Sequence, residues 1–176
     1  MRRSKVGVKT ALCKFCLKSG ILCSKCRAKL KSGEVSKVDL KIARLLLPLE
    51  NTYPPLQDIH FHKAVEANGI LALIVGRGDV ARLLAHGRKI VRTLEEKTGK
   101  KIRILEQGAD YRKFLEDLFA PSNILTINTI WLPDGTTETK VILRRRRRRP
   151  LSMNEKALKE IAQKVRGITL RVEFAR

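Results

Sequence analysis

The sequence predicts an α+β protein: a small N-terminal four-cysteine module followed by two α-β-β-α-α-β units in outline. Three observations predict it. All four cysteines lie between positions 13 and 26, in the pattern CKFC-x6-CSKC. Downstream, apolar positions switch between helical and alternating periods in an order that nearly repeats itself. The formal charge is +21 over 176 residues, with an apolar fraction of 43% that suits folded units rather than a disordered chain.

Two Cys-x-x-Cys hooks, Cys13 with Cys16 and Cys23 with Cys26, can present four thiolates to one tetrahedral Zn²⁺. Gly20, in the spacer between them, lets the chain reverse so that the hooks face each other. Two disulfides at this spacing would close tiny loops that stabilise little. Lys14, Lys18, Lys25 and Arg27 surround the sulfurs and favour the thiolate. Four sulfur ligands leave no coordination position open, so the zinc is expected to be structural; an iron cluster is the minority reading.

The module occupies residues 1–35 and closes on a linker, Lys31-Ser32-Gly33-Glu34. In the next unit, 36–108, Ser36 followed by Asp39 starts an amphipathic helix on Val38, Ile42, Leu45 and Leu46, which is expected to stop at Pro48. Ile59 to Val65 and Ile70 to Val75 form a hairpin through Asn68-Gly69, a strong short-range hairpin signal. The second of these runs is continuously apolar, as in a central strand covered by helices. Gly76-Arg77-Gly78 ends it, and Asp79 is placed as the cap of a short helix with Val80, Leu83 and Leu84. Ala85-His86-Gly87-Arg88 interrupts before a helix on Ile90, Val91 and Leu94, and Lys101 to Leu105 alternates as a strand.

The unit 109–176 repeats the order with one short helix fewer. Asp110 caps a helix bearing Tyr111, Phe114, Leu115 and Leu118, which stops at Pro121. Ile124 to Leu132 and Glu138 to Leu143 pair around Pro133-Asp134-Gly135. After six arginines, Ser152 and Glu155 read as a capping box for a helix through Ala157, Leu158, Ile161 and Val165, and Ile168 to Phe174 is the last strand. Trp131 and Tyr111 fall in apolar patterns and are expected in the core.

So basic a chain repels itself and is relieved by a polyanion, which makes nucleic acid the leading partner class. The longest apolar run, Ile70 to Val75, is far too short to span a bilayer, so no membrane partner is expected. The segment MRRSKVGVKTAL has charge without an apolar core or cleavage signal, and the expected location is the cytoplasm.

DVARLLAHGRKIVRTLEEKTGKKIRILE in the first unit and FLEDLFAPSNILTINTIWLPDG at the entry to the second carry a family resemblance. Residues 36–107 resemble a type II KH domain and 109–176 a degenerate second one, a pairing similar to archaeal NusA-like transcription factors in a variant with an N-terminal zinc ribbon. The resemblance implies a groove for about four nucleotides of single strand beside a Gly-x-x-Gly loop. That loop falls on Ala85, His86, Gly87 and Arg88, where Ala85 and Arg88 stand in place of the family's glycines and only Gly87 is retained. Arg88, Lys89 and Arg92 would then replace backbone grip with charge. Arg144, Arg145, Arg146, Arg147, Arg148 and Arg149 stand where the second unit has lost its loop, as a phosphate-binding segment.

Five Phe, two Tyr and one Trp, scattered, disfavour a stacking sheet and suit an apolar groove. His60 and His62 share a strand face with no third ligand evident, and Glu95 with Glu96 reads as solvated helix surface, not an acid/base pair. The resemblance thus implies a non-catalytic binder of nascent transcript that also meets RNA polymerase. The alternative is a ribosome-associated or ribosomal protein on ribosomal RNA. A zinc-dependent nuclease would need an open metal position or clustered carboxylates, and neither is present in the sequence.

Overall fold

The structure is a computed structural model in which residues 7–85, 88–144 and 153–175 are described. Two short helices, α1 (Lys14–Ser19) and α2 (Ser24–Lys31), carry the cysteine hooks. The first unit is α3 (Lys37–Thr52), a 3-10 turn, β1 (Phe61–Ala67), β2 (Ile70–Val75), α4 (Asp79–Leu84), α5 (Lys89–Thr98) and β3 (Lys101–Glu106). The second is α6 (Tyr111–Phe119), β4 (Ile124–Trp131), β5 (Thr137–Leu143), α7 (Glu155–Arg166) and β6 (Leu170–Phe174). The fold is therefore mixed α+β, with an N-terminal cysteine cluster and two small α-β units, consistent with a zinc module followed by KH-like domains.

Each unit holds a three-stranded sheet, ordered β1-β2-β3 and β4-β5-β6, with an antiparallel first pair and a parallel second pair. Asn68 and Gly69 both take positive φ, 43° and 79°, as a two-residue hairpin turn requires. Every residue of β2 is buried because the strand is covered on both faces. Leu71, Leu73 and Val75 join α3, α4 and α5 in one apolar cluster. Ile70, Ala72 and Ile74 join Phe114, Leu118, Leu158 and Ile161 of α6 and α7 in the other. Val141, Leu143 and Leu170 of the second sheet close that cluster from the far side. The layers thus run helices, sheet, helices, sheet, and the outer face of the last sheet carries the ion pair Lys140–Glu173 at 2.8 Å, with Arg171 reaching Glu138 at 3.9 Å.

α3 begins in a capping box: Ser36 Oγ accepts from the Asp39 N–H at 3.0 Å, and Asp39 Oδ2 accepts from the Ser36 N–H at 2.7 Å. The other oxygen of Asp39 accepts from the Ala64 N–H of β1, so one buried carboxylate ties helix to strand. The helix does not stop at Pro48 but runs on to Thr52. An interior proline costs about 3 kcal/mol. Continued burial of Leu47 and Leu49 offsets it, at roughly 1.5–3 kcal/mol for each leucine.

Three further expectations are corrected. Gly78 caps α4 in the left-handed region, and Asp79 is its first helical residue. The Asp79 carboxylate is turned instead to the His60 N–H at 2.9 Å and Arg82 at 3.0 Å. Asn154 caps α7 by accepting from the Lys156 N–H; Ser152 lies outside the described residues. Trp131 is 76% exposed, because it sits at the hairpin end opposite exposed Thr137, beyond the cover of α6 and α7. Tyr111 is also exposed, its hydroxyl bonded to Thr139. Asp110 caps α6 as expected, accepting from the Lys113 N–H at 2.7 Å.

Candidate metal centre and nucleic-acid groove

The four cysteines are free thiols whose sulfurs all lie within 4.8 Å of one another. Gly20 at φ 79° ends α1 in the left-handed region and turns the chain back so that the second hook meets the first. A tetrahedral ion with bonds of ~2.3 Å to sulfur needs its ligands roughly 3.8 Å apart. The Cys26–Cys13 separation, 3.7 Å, meets that spacing, and Cys13–Cys16, at 3.1 Å, is closer than it, so the donor set fits one such ion once that pair opens slightly. Backbone N–H groups add to the fit: Cys23 N–H points to Cys16 Sγ at 3.1 Å, and Cys13 and Cys26 N–H to Cys26 and Cys23 Sγ at 3.5 Å.

The thiols are electrostatically frustrated. The Cys26 N–H and the neighbouring sulfurs bring the Cys23 thiol down to about 7, and Cys16 lowers Cys13. Cys16, although helped by the Cys23 N–H, is pushed up to about 12 by the Cys13 sulfur and by burial. Four thiolates cannot share so small a space without a cation among them. Cys16 and Cys26 are buried and pack with Val8, Leu12, Leu17 and Val35 against α3. The knob is also tied down by Arg44 donating to Gly20 O at 2.9 Å and by the Val8 N–H donating to Glu50 at 2.9 Å.

The second feature is a groove of about 240 Å³ beside β3. Val80 and Leu84 of α4 and Val91 of α5 form one wall, Ile102 and Ile104 of β3 the floor, and Ala120-Pro121, after α6, the far side. Arg88 stands at its mouth. Of the sequence-identified loop, Ala85 closes α4 and Arg88 opens α5; His86 and Gly87 lie outside the described residues. Arg88 is held at φ 64°, the left-handed conformation that a glycine adopts freely and other residues at a cost of about 1–2 kcal/mol. Arg88→Gly is therefore expected to raise stability by up to about 1 kcal/mol in thermal melts while weakening polyanion binding.

Arg88, Lys89 and Arg92 are exposed, follow one another on the first turn of α5, and have no carboxylate within an ion-pair distance among the described residues. The α5 N-terminus has neither a side-chain cap nor an acid in its first turn, so its backbone N–H groups add to that positive end. Some cations elsewhere are engaged, Lys113 with Asp117, Lys159 with Glu155 at 2.8 Å and Lys164 with Glu160 at 2.6 Å, whereas others, Lys14, Lys18 and Lys25 of the knob among them, form no ion pair among the described residues, so the mouth is set apart by its place beside the groove. Arg144 is exposed where β5 ends, its N–H donating to Asn123 O at 2.9 Å; Arg145 to Arg149 lie outside the described residues.

His60 and His62 stack with ring centroids 3.9 Å apart, and burial, then His60, lowers the His62 pKa. Among the described residues the cysteines are the group of three or more potential metal ligands, so the histidine pair has no third donor. Glu95 is not simply solvated, since it accepts from the Ile102 N–H on the edge of β3 at 3.0 Å. Sequence reasoning missed Arg103 and Asp117, which also line the groove. Neither carries a local signal, because what sets them apart is burial between two units.

No protein-family model matches the chain. It is similar to the probable transcription termination protein NusA of Methanocaldococcus jannaschii, with 40% identity over 62 residues, covering 35% of this chain and 32% of that protein. It is also similar to the probable transcription termination protein NusA of Methanococcus vannielii, with 26% identity over 74 residues, covering 42% and 41%. The matches thus span only about a third to two fifths of those relatives' lengths. Among solved structures, the crystal structure of APE1850 aligns over 76% of this chain and 96% of its own at 16% identity, with a TM-score of 0.48, too low to carry an argument. No described helix is long and apolar enough to cross a membrane. The curated relatives of this chain are archaeal NusA-like proteins, and its four-cysteine knob is compatible with a zinc module.

Proposed function

We propose that the chain is a non-catalytic RNA-binding protein, NusA-like in role, that engages nascent transcript during elongation or termination and works alongside RNA polymerase. The observation that carries this reading is the apolar groove whose cationic mouth, Arg88, Lys89 and Arg92, has no ion-pair partner among the described residues. Apolar walls accept unstacked bases, while the helix N-terminus and the guanidinium groups draw the phosphates. The arginine segment Arg144 to Arg149 adds a salt-sensitive anchor. Cys13, Cys16, Cys23 and Cys26 would hold one structural Zn²⁺, which would cross-link the two hooks and, with all four positions taken by sulfur, offer no reactive site. The knob then serves as a rigid basic element packed on α3, with Glu34 the one acid among residues 1–35. The relatives' printed role in transcription termination supports the same reading.

Crosslinking the protein to nucleic acid in cells and sequencing what is attached tests it. Reads spread over many transcripts are expected. A single footprint on ribosomal RNA would move the assignment to the ribosome.

A further inference from the structure

The groove does not end with the first unit. It turns the edge of β3 onto α6, where Asp117 lines it together with Arg103 of β3. Arg103 is only 7% exposed. One terminal nitrogen donates to Met153 Sδ at 3.1 Å, but Nε is buried without a partner among the described residues. Asp117 uses one oxygen on Lys113 and leaves Oδ2 buried without a partner among the described residues. The two opposite charges are not within ion-pair distance of each other. Burial, then the positive charge of Arg88, lowers the Arg103 pKa to about 10, which still leaves it cationic at neutral pH. Buried donors and acceptors are rarely left unpaired, and here one of each belongs to a residue that lines the same apolar cleft.

We propose that Arg103 and Asp117 form a base-reading pair, in which β3 supplies a donor and the second unit's α6 an acceptor to the edge of a nucleobase entering the groove. The proposal rests on the groove being a single-strand site. A phosphate would suit the arginine but be repelled by the carboxylate, whereas a base edge offers an acceptor and an N–H donor side by side. The apolar surface of Leu84 in the wall and Ile104 in the floor suits a heterocycle. The degenerate second unit, on this view, contributes to sequence preference without a loop of its own, and phosphate attraction and base selection fall to different residues: Arg88, Lys89 and Arg92 for the first, Arg103 and Asp117 for the second.

The test uses the full, zinc-loaded chain and fluorescence anisotropy with short single-stranded oligo(A), oligo(C), oligo(G) and oligo(U) RNA at several salt concentrations. The wild type is expected to separate its best from its worst homopolymer by about tenfold or more. Arg103→Lys, Arg103→Met and Asp117→Asn should each shrink that spread to about threefold or less with the salt slope unchanged, because the lost contact is to a base. Arg103→Lys keeps the charge but not the planar fork, so it separates base reading from attraction. Circular dichroism melts identify any variant that has merely unfolded, and Asp117→Asn, nearly isosteric, then carries the test alone. Equal affinity of the wild type for all four homopolymers, or an undiminished spread in a folded Asp117→Asn chain, would overturn the proposal. A wild type that binds no oligomer would instead overturn the groove assignment beneath it.

Discussion

Stripping the metal from the loaded protein with a chelator, or replacing Cys26 by serine, is expected to lower the thermal midpoint by about 10 °C or more. Metal binding to four thiolates contributes on the order of 10 kcal/mol to folding in isolated zinc-finger peptides. Part of that persists here as docking, since Val8, Leu12, Leu17 and Val35 are buried against α3 whatever the cysteines hold. A net loss of about 5 kcal/mol, at roughly 2–4 °C per kcal/mol for a protein of this size, gives the stated shift. Because Cys26 is itself part of the apolar cluster, serine there adds a buried hydroxyl to the lost ligand. Elemental analysis should find one zinc per chain in the wild type and none in the variant. An unchanged midpoint after complete chelation would show that packing alone holds the knob; visible absorbance from the isolated protein would identify iron instead.

Replacing Arg88, Lys89 and Arg92 together by alanine is expected to weaken binding of single-stranded RNA by about 10²-fold at low salt. The loss should be similar for every sequence. Each phosphate contact removed lowers the slope of log affinity against log salt by about 0.7 on single strands, so three should remove about two units of slope. None of the three has an acidic partner among the described residues, so the folded state loses little stability with them. A folded triple variant with the wild-type slope would move the phosphate path elsewhere on the surface.

Much of this molecule was legible because its signals are local. The hooks, the Asn68-Gly69 turn, the caps at Ser36 and Asp110 and the stop at Gly99 are each fixed by a few neighbouring residues and their backbone preferences. The all-apolar run of β2 announced burial on both faces, though not that α6 and α7 provide the second cover. The errors share one cause, which is that tertiary packing outweighs local rules. Pro48 is carried inside a helix by buried leucines on either side of it, Trp131 is left out of the core because no helix reaches the end of its hairpin, and Asp79 surrenders the cap to Gly78 in order to hold the His60 N–H. The groove itself was only half visible. Its mouth could be read from the loop and its arginine, but Arg103 and Asp117 line it from two units that no periodicity connects.

Affinity for single-stranded nucleic acid is the property on which the proposed function and the base-reading pair both depend. Titrating the zinc-loaded chain into a labelled single-stranded RNA in dilute buffer should give saturable binding that weakens steeply with added salt and is competed by unlabelled strand. A fully folded, metal-loaded chain that leaves the anisotropy of that RNA unchanged, even at the lowest salt, would contradict it.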